Sequence, residues 1–174
     1  MKGHGSSRGR MRGAAGAAPP SLHFEFEAGT GRHRLWGTVF LSHESLAVNL
    51  VGGDLPHVGA VAVSIPRASR ADARRRSAST SVFTLVGHKE DELARPFAAD
   101  LAQALGRTTV VVAGVHIHRA GPADLAKVFV NAGRAIETII ARVKAAPGNS
   151  GRAADDKGPA TRIHRGGMPG RRGQ

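Results

Sequence analysis

The sequence predicts an α+β protein built on a mainly antiparallel sheet of about six strands with two helices. Successive short segments in the first half of the chain alternate apolar and polar residues, as half-buried strands do. Only the second half carries the apolar spacing of helices. The predicted order is β-β-β-β-β-α-β-α, with both helices on one side of the sheet. A doubly wound nucleotide-binding fold is excluded, because its strands and helices alternate from the start.

The leading strands follow from alternation and from turn residues. Leu22–Glu27 alternates strictly and precedes Gly29-Thr30-Gly31, so Arg32–Leu41 is predicted to be the returning strand of a hairpin. The same pattern predicts three further strands, around Leu46–Leu50, at His57–Ile65 and at Ser81–Val86.

The second half of the chain changes in character. Leu93, Phe97, Leu101 and Leu105 form an apolar stripe along a helix that Gly106 ends. The β-branched run at Thr108–Ala113 is typical of a strand covered on both faces. Gly121-Pro122 then opens a long helix, with proline at its favoured first position. Its predicted buried stripe consists of Leu125, Val128, Phe129, Ala132, Ile136, Ile139, Ile140 and Val143.

We expect a single domain at residues 22–146, flanked by disordered basic tails at 1–21 and 147–174 and containing an arginine-rich loop at 66–79. The tails and this loop together carry the whole net charge of +12, so the rest of the domain is about neutral. A duplex-binding protein usually places its basic stripe on the structured surface. Nucleic-acid affinity is therefore expected to be incidental, through the tails.

Composition excludes several further classes. The chain has no cysteine, so a disulfide, a thiolate metal site and a thiol nucleophile are ruled out. No run approaches the roughly 18 apolar residues of a membrane span, and the N-terminal stretch lacks the apolar region of a signal peptide. We expect a cytoplasmic protein without a membrane partner.

Three polar clusters interrupt the apolar segments, each at the junction of two predicted elements. They lie within residues 52–59, 87–91 and 113–118. His88 and Lys89 precede a predicted helix N-terminus, where free amides favour a phosphate or a carboxylate. Asp91 has an alternative role as the N-cap of that helix. The candidate binding residues are Asp54, His57, His88, Lys89, Asp91 and His116.

The histidines leave alternatives open. His57 and His116 lie next to glycines, which let another group approach the backbone, but each is equally a turn histidine bonded to a neighbouring carbonyl. His118 is expected at the rim. A metal site from His57, His88 and His116 is conceivable, since imidazole suits zinc or iron. Because three separate segments carry no diagnostic spacing, no metal is expected and no catalytic residue is proposed.

Together, the three clusters resemble a known family. Gly53-Asp54-Leu55-Pro56-His57-Val58-Gly59, Gly87-His88-Lys89-Glu90-Asp91-Glu92-Leu93-Ala94 and Ala113-Gly114-Val115-His116-Ile117 are similar in order and separation to motifs of the LpdD-like prenylated flavin chaperones. These are small accessory partners of UbiD-family aromatic-acid decarboxylases. The resemblance covers nearly all of residues 22–143 and implies a fold like that of proteasome-assembly chaperones.

The resemblance implies an accessory protein rather than an enzyme, one that holds prenylated FMN for a UbiD-type decarboxylase. The flavin prenyltransferase is a second candidate partner. His88, Lys89 and the helix amides would take the phosphate, and His57 and His116 would hydrogen-bond the flavin. Phe83 or Trp36 would cover an aromatic face. A homodimer is expected, because an open sheet has edges to cover. The alternatives are a small histidine-metal enzyme and an assembly chaperone without a ligand.

Overall fold

The computed structural model describes residues 21–146 of the chain. The predictions made for the two basic tails lie outside these residues. Within them, the strands and helices occur in the predicted order. They are β1 (Leu22–Ala28), β2 (Leu35–Leu41), β3 (Ser45–Gly53), β4 (Ala60–Ala68), β5 (Arg76–Thr84), α1 (Asp91–Leu105), β6 (Thr108–His116) and α2 (Pro122–Ala145), with a short 3-10 turn at Gly31–His33 before β2.

The strands form one sheet in the order β1-β2-β3-β6-β4-β5. All neighbours are antiparallel except β3 and β6, which run parallel. This parallel pair arises because α1 carries the chain back across the sheet, so that β6 enters between β3 and β4. The predicted fold class, a mainly antiparallel sheet with two helices, is confirmed. The carboxyl ends of β3 and β6 meet at one edge of the sheet.

Both helices pack on the same face of the sheet. Helix α1 lies on β4, β5 and β6, whereas α2 lies on β1 and β2 and also contacts α1. The predicted stripe of α1 is confirmed at Leu93, Phe97 and Leu101, which are buried, while Leu105 is only partly buried. In the part of the chain described, neither helix is long and apolar enough to cross a membrane.

The stripe predicted for α2 is only partly correct. Leu125 and Phe129 are exposed, and Asn131, which was placed off the stripe, is buried. The amide of Asn131 donates a hydrogen bond of 2.8 Å to the carbonyl oxygen of His33, in the turn before β2. Helix α2 is therefore rotated about its axis so that Asn131 faces inward and hydrogen-bonds the backbone of this turn. The burial of Asn131 is compatible with the fold because its donor is satisfied.

The arginine-rich segment at 66–79 was predicted to be a loop, but only residues 69–75 lie outside the strands. Strand β4 continues through Ala68, and β5 begins at Arg76, directly opposite it. The segment is a β-hairpin, because pairing with a neighbouring strand orders a polar sequence that could not order itself. Pro66 is tolerated because β4 extends beyond the end of its pairing with β6, which stops at Ser64.

The sheet face opposite the helices, which we call the outer face, is apolar at its centre. Val61, Val63 and Ile65 of β4 point to it, beside Val110 and Val112 of β6. Ile65 is 56% exposed and Val63 is 37% exposed. Strand β6 was predicted to be covered on both faces. Its helix-side residues Thr109, Val111 and Ala113 are buried, but within residues 21–146 Val110 and Val112 on the outer face are only partly buried. The described chain therefore leaves the outer face uncovered.

Ile139 of α2 should contribute strongly to stability, because its side chain is fully buried against the sheet. Ile139→Ala should lower the free energy of unfolding by about 2–5 kcal/mol. Ile136→Ala should cost less, since Ile136 is only partly buried. Urea unfolding of the two variants measures the difference, and an equal cost at both positions would contradict the observed rotation of α2.

Candidate functional site

The three polar clusters of the sequence meet at the sheet edge where β3 and β6 end. Gly59, the last residue of the first cluster, links the three clusters through its backbone. Its N–H donates to the carbonyl of Ala113 at 2.9 Å, and its own carbonyl accepts the N–H of Leu85 at 2.9 Å. The N–H of Asp54 donates to the carbonyl of His116 at 2.6 Å. The segments that carry His57, His88 and His116 are thus held side by side by backbone hydrogen bonds.

A glycine makes this close approach possible. A Cβ atom at position 114 would overlap the carbonyl oxygen of His57 and also approach the amide of Val58. Both are backbone groups that cannot rotate away. Gly114 therefore allows the segment carrying His57 to lie directly on β6.

An open depression of about 330 Å³ lies between these segments. It is lined by Leu55, His57, Val58, His88 and His116. The structure therefore brings together the three histidines predicted as binding residues. Leu55 and Val58, which are 64% and 47% exposed, add apolar surface beside the imidazoles.

His57 and His88 are in direct contact with each other and with the carboxylate of Glu90. Nε2 of His57 lies 3.0 Å from Nδ1 of His88 and 3.0 Å from Oε1 of Glu90. The rings of His57 and His116 are 6.2 Å apart between centroids. Nδ1 of His57 is 3.1 Å from the carbonyl oxygen of Leu55, so the predicted turn-histidine contact is present as well. His57 therefore uses one nitrogen for the loop and the other for the cluster.

Sequence reasoning missed Glu90. Its side chain is only 11% exposed and reaches from the start of α1 to both His57 and His88. The sequence signal was its place two residues after His88, in a cluster already singled out. Because carboxylates are common at helix N-termini, an acidic residue at a predicted helix start did not by itself indicate a binding role.

The other candidates of the second cluster lie apart from the depression lining. Lys89 is exposed, and its backbone N–H donates to Oε2 of Glu90 at 3.0 Å. Asp91 was predicted to be the N-cap, but it is the first residue of α1 and Glu90 occupies the cap position without a side-chain capping bond. The backbone N–H of Lys89 is therefore already bonded to the carboxylate of Glu90, although amides at this helix start were expected to be free for a phosphate.

Asp54 ties the ends of β3 and β6 together. Its Oδ2 accepts the backbone N–H of His118 at 2.8 Å and is 3.3 Å from the guanidinium of Arg32. The His118 N–H and, after it, the charge of Arg32 lower the pKa of Asp54 below the usual value for an aspartate. It does not line the depression.

Neither aromatic residue predicted to cover a flavin is in the depression lining. Trp36 and Phe83 lie on strands β2 and β5, in register positions that share the outer face with Val51 and Val61. Phe83 is 72% exposed there. His118 is exposed, as predicted for a rim residue.

The fold and the clustered histidines define an α+β protein with an open, imidazole-lined depression at one edge of its sheet. The chain belongs to the family of the prenylated flavin chaperone LpdD-like domain, whose family model matches residues 29–144. This confirms the family suggested by the three motifs.

Comparisons with curated proteins and with solved structures add two results. No curated protein matches the sequence. A solved structure described as a novel chaperone complex for yeast 20S proteasome assembly is similar to this chain, with a TM-score of 0.47 and 13% sequence identity. The similarity covers 71% of this chain and 95% of that chain.

Adding a methyl group at Gly114 should distort the site, since it would overlap the backbone of His57. Gly114→Ala should destabilise the protein by about 1–3 kcal/mol, as overpacking does. The matched control is Gly133→Ala in α2, where an added Cβ meets nothing within 4 Å. This control should stabilise by about 0.5–1 kcal/mol, the usual gain from replacing a helical glycine. Equal thermal midpoints for the two variants would contradict the close approach.

Proposed function

We propose that this protein binds reduced, prenylated FMN in the depression and delivers it to a UbiD-type aromatic-acid decarboxylase in the cytoplasm. It acts as an accessory protein, and the decarboxylase performs the chemistry. Membership of the prenylated flavin chaperone family supports the choice of ligand. The observation that carries the proposal is the convergence of His57, His88 and His116 in one open depression.

The form of the site suits a carrier. Its volume of about 330 Å³ lies near the lower end of ligand pockets, which span about 300–1,000 Å³. A tricyclic flavin would therefore rest in it with part of its surface exposed. Leu55 and Val58 offer apolar contact to the ring system. His116 offers a hydrogen bond to its polar edge, whereas both ring nitrogens of His57 are already engaged. An incompletely enclosed ligand is accessible to a second protein.

Lys89 would contact the phosphate from the rim. It is exposed and follows His88, one of the lining residues. The amides at the start of α1 are poorer phosphate ligands than the sequence suggested, because Glu90 accepts the N–H of Lys89 and Asp91 and Glu92 form the first turn. The ammonium group and the imidazole of His88 remain as the phosphate-facing groups.

We also propose that the outer face is the homodimer interface. Its centre is apolar, and its two sides differ in charge: exposed Glu25 lies on edge strand β1, and exposed Arg67 lies on β4 near the opposite edge. Two copies stacked face to face about a two-fold axis would bring Glu25 of one copy towards Arg67 of the other. The same contact would give β6 the second cover that its apolar sequence favours.

The phosphate assignment predicts that Lys89→Ala weakens binding of reduced prenylated FMN by roughly tenfold or more. Such a loss corresponds to one charge-assisted hydrogen bond of about 1.5–3 kcal/mol. The melting temperature without ligand should barely change, because an exposed lysine supports little structure. Anaerobic titration followed by flavin absorbance measures the affinity. The control Lys127→Ala removes an equally exposed lysine from α2 and should bind as the parent does.

His116→Ala should weaken binding of both the phosphorylated flavin and an analogue without phosphate, since His116 faces the ring. Lys89→Ala should affect only the phosphorylated ligand. If none of these proteins, including the parent, binds the flavin, the family function does not extend to this chain and an assembly chaperone without a ligand is favoured.

The dimer proposal predicts that Val63→Asp converts a dimer into a monomer, because the substitution places a charge at the centre of the outer face. Sedimentation at tens of micromolar protein gives the mass, and circular dichroism checks that the variant remains folded. Val86→Asp is the control, since Val86 is fully exposed in the segment after β5. A monomeric parent protein would contradict the proposal.

A further inference from the structure

We propose that His57, His88 and Glu90 bind one divalent transition-metal ion, such as zinc or ferrous iron, with its open positions facing the depression. The proposal does not depend on the flavin. It differs from the expectation, drawn from the sequence, that no metal is bound. It also differs from the three-histidine site considered there, because Glu90 takes the place of His116 as the third ligand.

The distances match those between ligands on a single ion. One donor atom from each residue lies within 4.8 Å of the others. The separations are 3.0 Å from His57 Nε2 to His88 Nδ1, 3.0 Å from His57 Nε2 to Glu90 Oε1, and 3.4 Å from His88 Nδ1 to Glu90 Oε2. With metal–ligand bonds of about 2.0–2.2 Å, adjacent ligands lie about 2.8–3.1 Å apart around an octahedral ion and about 3.3–3.6 Å apart around a tetrahedral one.

The hydrogen-bonding pattern leaves lone pairs facing one another. Nδ1 of His57 is 3.1 Å from the carbonyl oxygen of Leu55, which only accepts, so this nitrogen carries a hydrogen. In the neutral ring, Nε2 then has a free lone pair. Nε2 of His57 faces both Nδ1 of His88 and a carboxylate oxygen of Glu90. A hydrogen on Nδ1 of His88 satisfies the contact between the two rings. The contact between Nε2 of His57 and Oε1 of Glu90 then joins two acceptors with no hydrogen between them.

A cation resolves this arrangement, because all three atoms are donors of lone pairs. The carbonyl of Leu55 would then act as the outer partner that fixes the tautomer of a ligating histidine, as is usual at metal sites. The alternative is a doubly protonated His57 that bridges His88 and Glu90 by hydrogen bonds alone. Metal binding in solution distinguishes the two.

The surroundings also favour an ion. The Glu90 carboxylate is 11% exposed, and a shielded charge needs a compensating partner. A Cβ at Gly59 would overlap this carboxylate, so glycine at position 59 makes room for it beside His57. Two histidines and one carboxylate with open positions form a donor set that zinc and ferrous iron both accept.

The test is uptake of Zn²⁺ by the full-length protein, prepared without a histidine tag, stripped with a chelator and studied without flavin. Calorimetry should show one ion per chain. Glu90→Gln and His57→Ala should each weaken binding by at least about tenfold, the loss seen even for outer-shell partners. The controls Glu92→Gln and His118→Ala change exposed residues nearby and should bind as the parent does.

Gly59→Ala gives a second test in which none of the three ligand residues is itself replaced. The added methyl group should displace the flexible Glu90 side chain and weaken Zn²⁺ binding, while circular dichroism shows an intact fold. The visible spectrum of bound Co²⁺, which reports its ligands, should change in Gly59→Ala and Glu90→Gln alike. The proposal is overturned if the parent takes up no Zn²⁺, or if Glu90→Gln and Gly59→Ala bind the ion as tightly as the parent.

Discussion

The site depends on the backbone of Gly59. Its N–H bonds to β6 and its carbonyl bonds to the segment after β5, so one residue holds the other two histidine-bearing segments in place. The parallel pairing of β3 with β6 adds the second constraint, because it brings the loop after β3 beside His116. Gly114 then lets the backbone of His57 lie directly on β6. The positions of the three imidazoles follow from these backbone contacts.

Much of the fold was predictable because strand alternation and helical spacing are local properties of the chain. The element order followed from them, and the polar clusters at element junctions marked His57, His88 and His116 as candidates. A shared flavin site for the three histidines was implied only by the family resemblance. The hairpin at 66–79 was missed because pairing between β4 and β5, not the sequence itself, orders that segment. The burial of Asn131 and the exposure of Phe129 also depend on how α2 rotates against its neighbours, which helical periodicity alone does not fix.

The limit of prediction from local sequence patterns is clearer at the candidate site. Glu90 contacts His57 across a gap in sequence that carries no spacing signal, so only the folded chain reveals the cluster. Its carboxylate gives the depression a negative group where a phosphorylated ligand was expected. A bound cation would reverse that local charge and offer the ligand's oxygens a direct contact, whereas Lys89 would act from the rim. A carrier with these features would bind its ligand through a few polar contacts and leave part of it exposed, which suits transfer to another protein.

The central claim is that the three clustered histidines form the flavin site. The most direct measurement is an anaerobic NMR titration of histidine-labelled protein with reduced prenylated FMN, since the chain contains nine histidines that serve as internal reporters. The account predicts that the imidazole signals of His57, His88 and His116 shift together at stoichiometric ligand, while those of His23 and His118 stay in place. Unchanged signals from the three clustered histidines, or shifts confined to others, would contradict it.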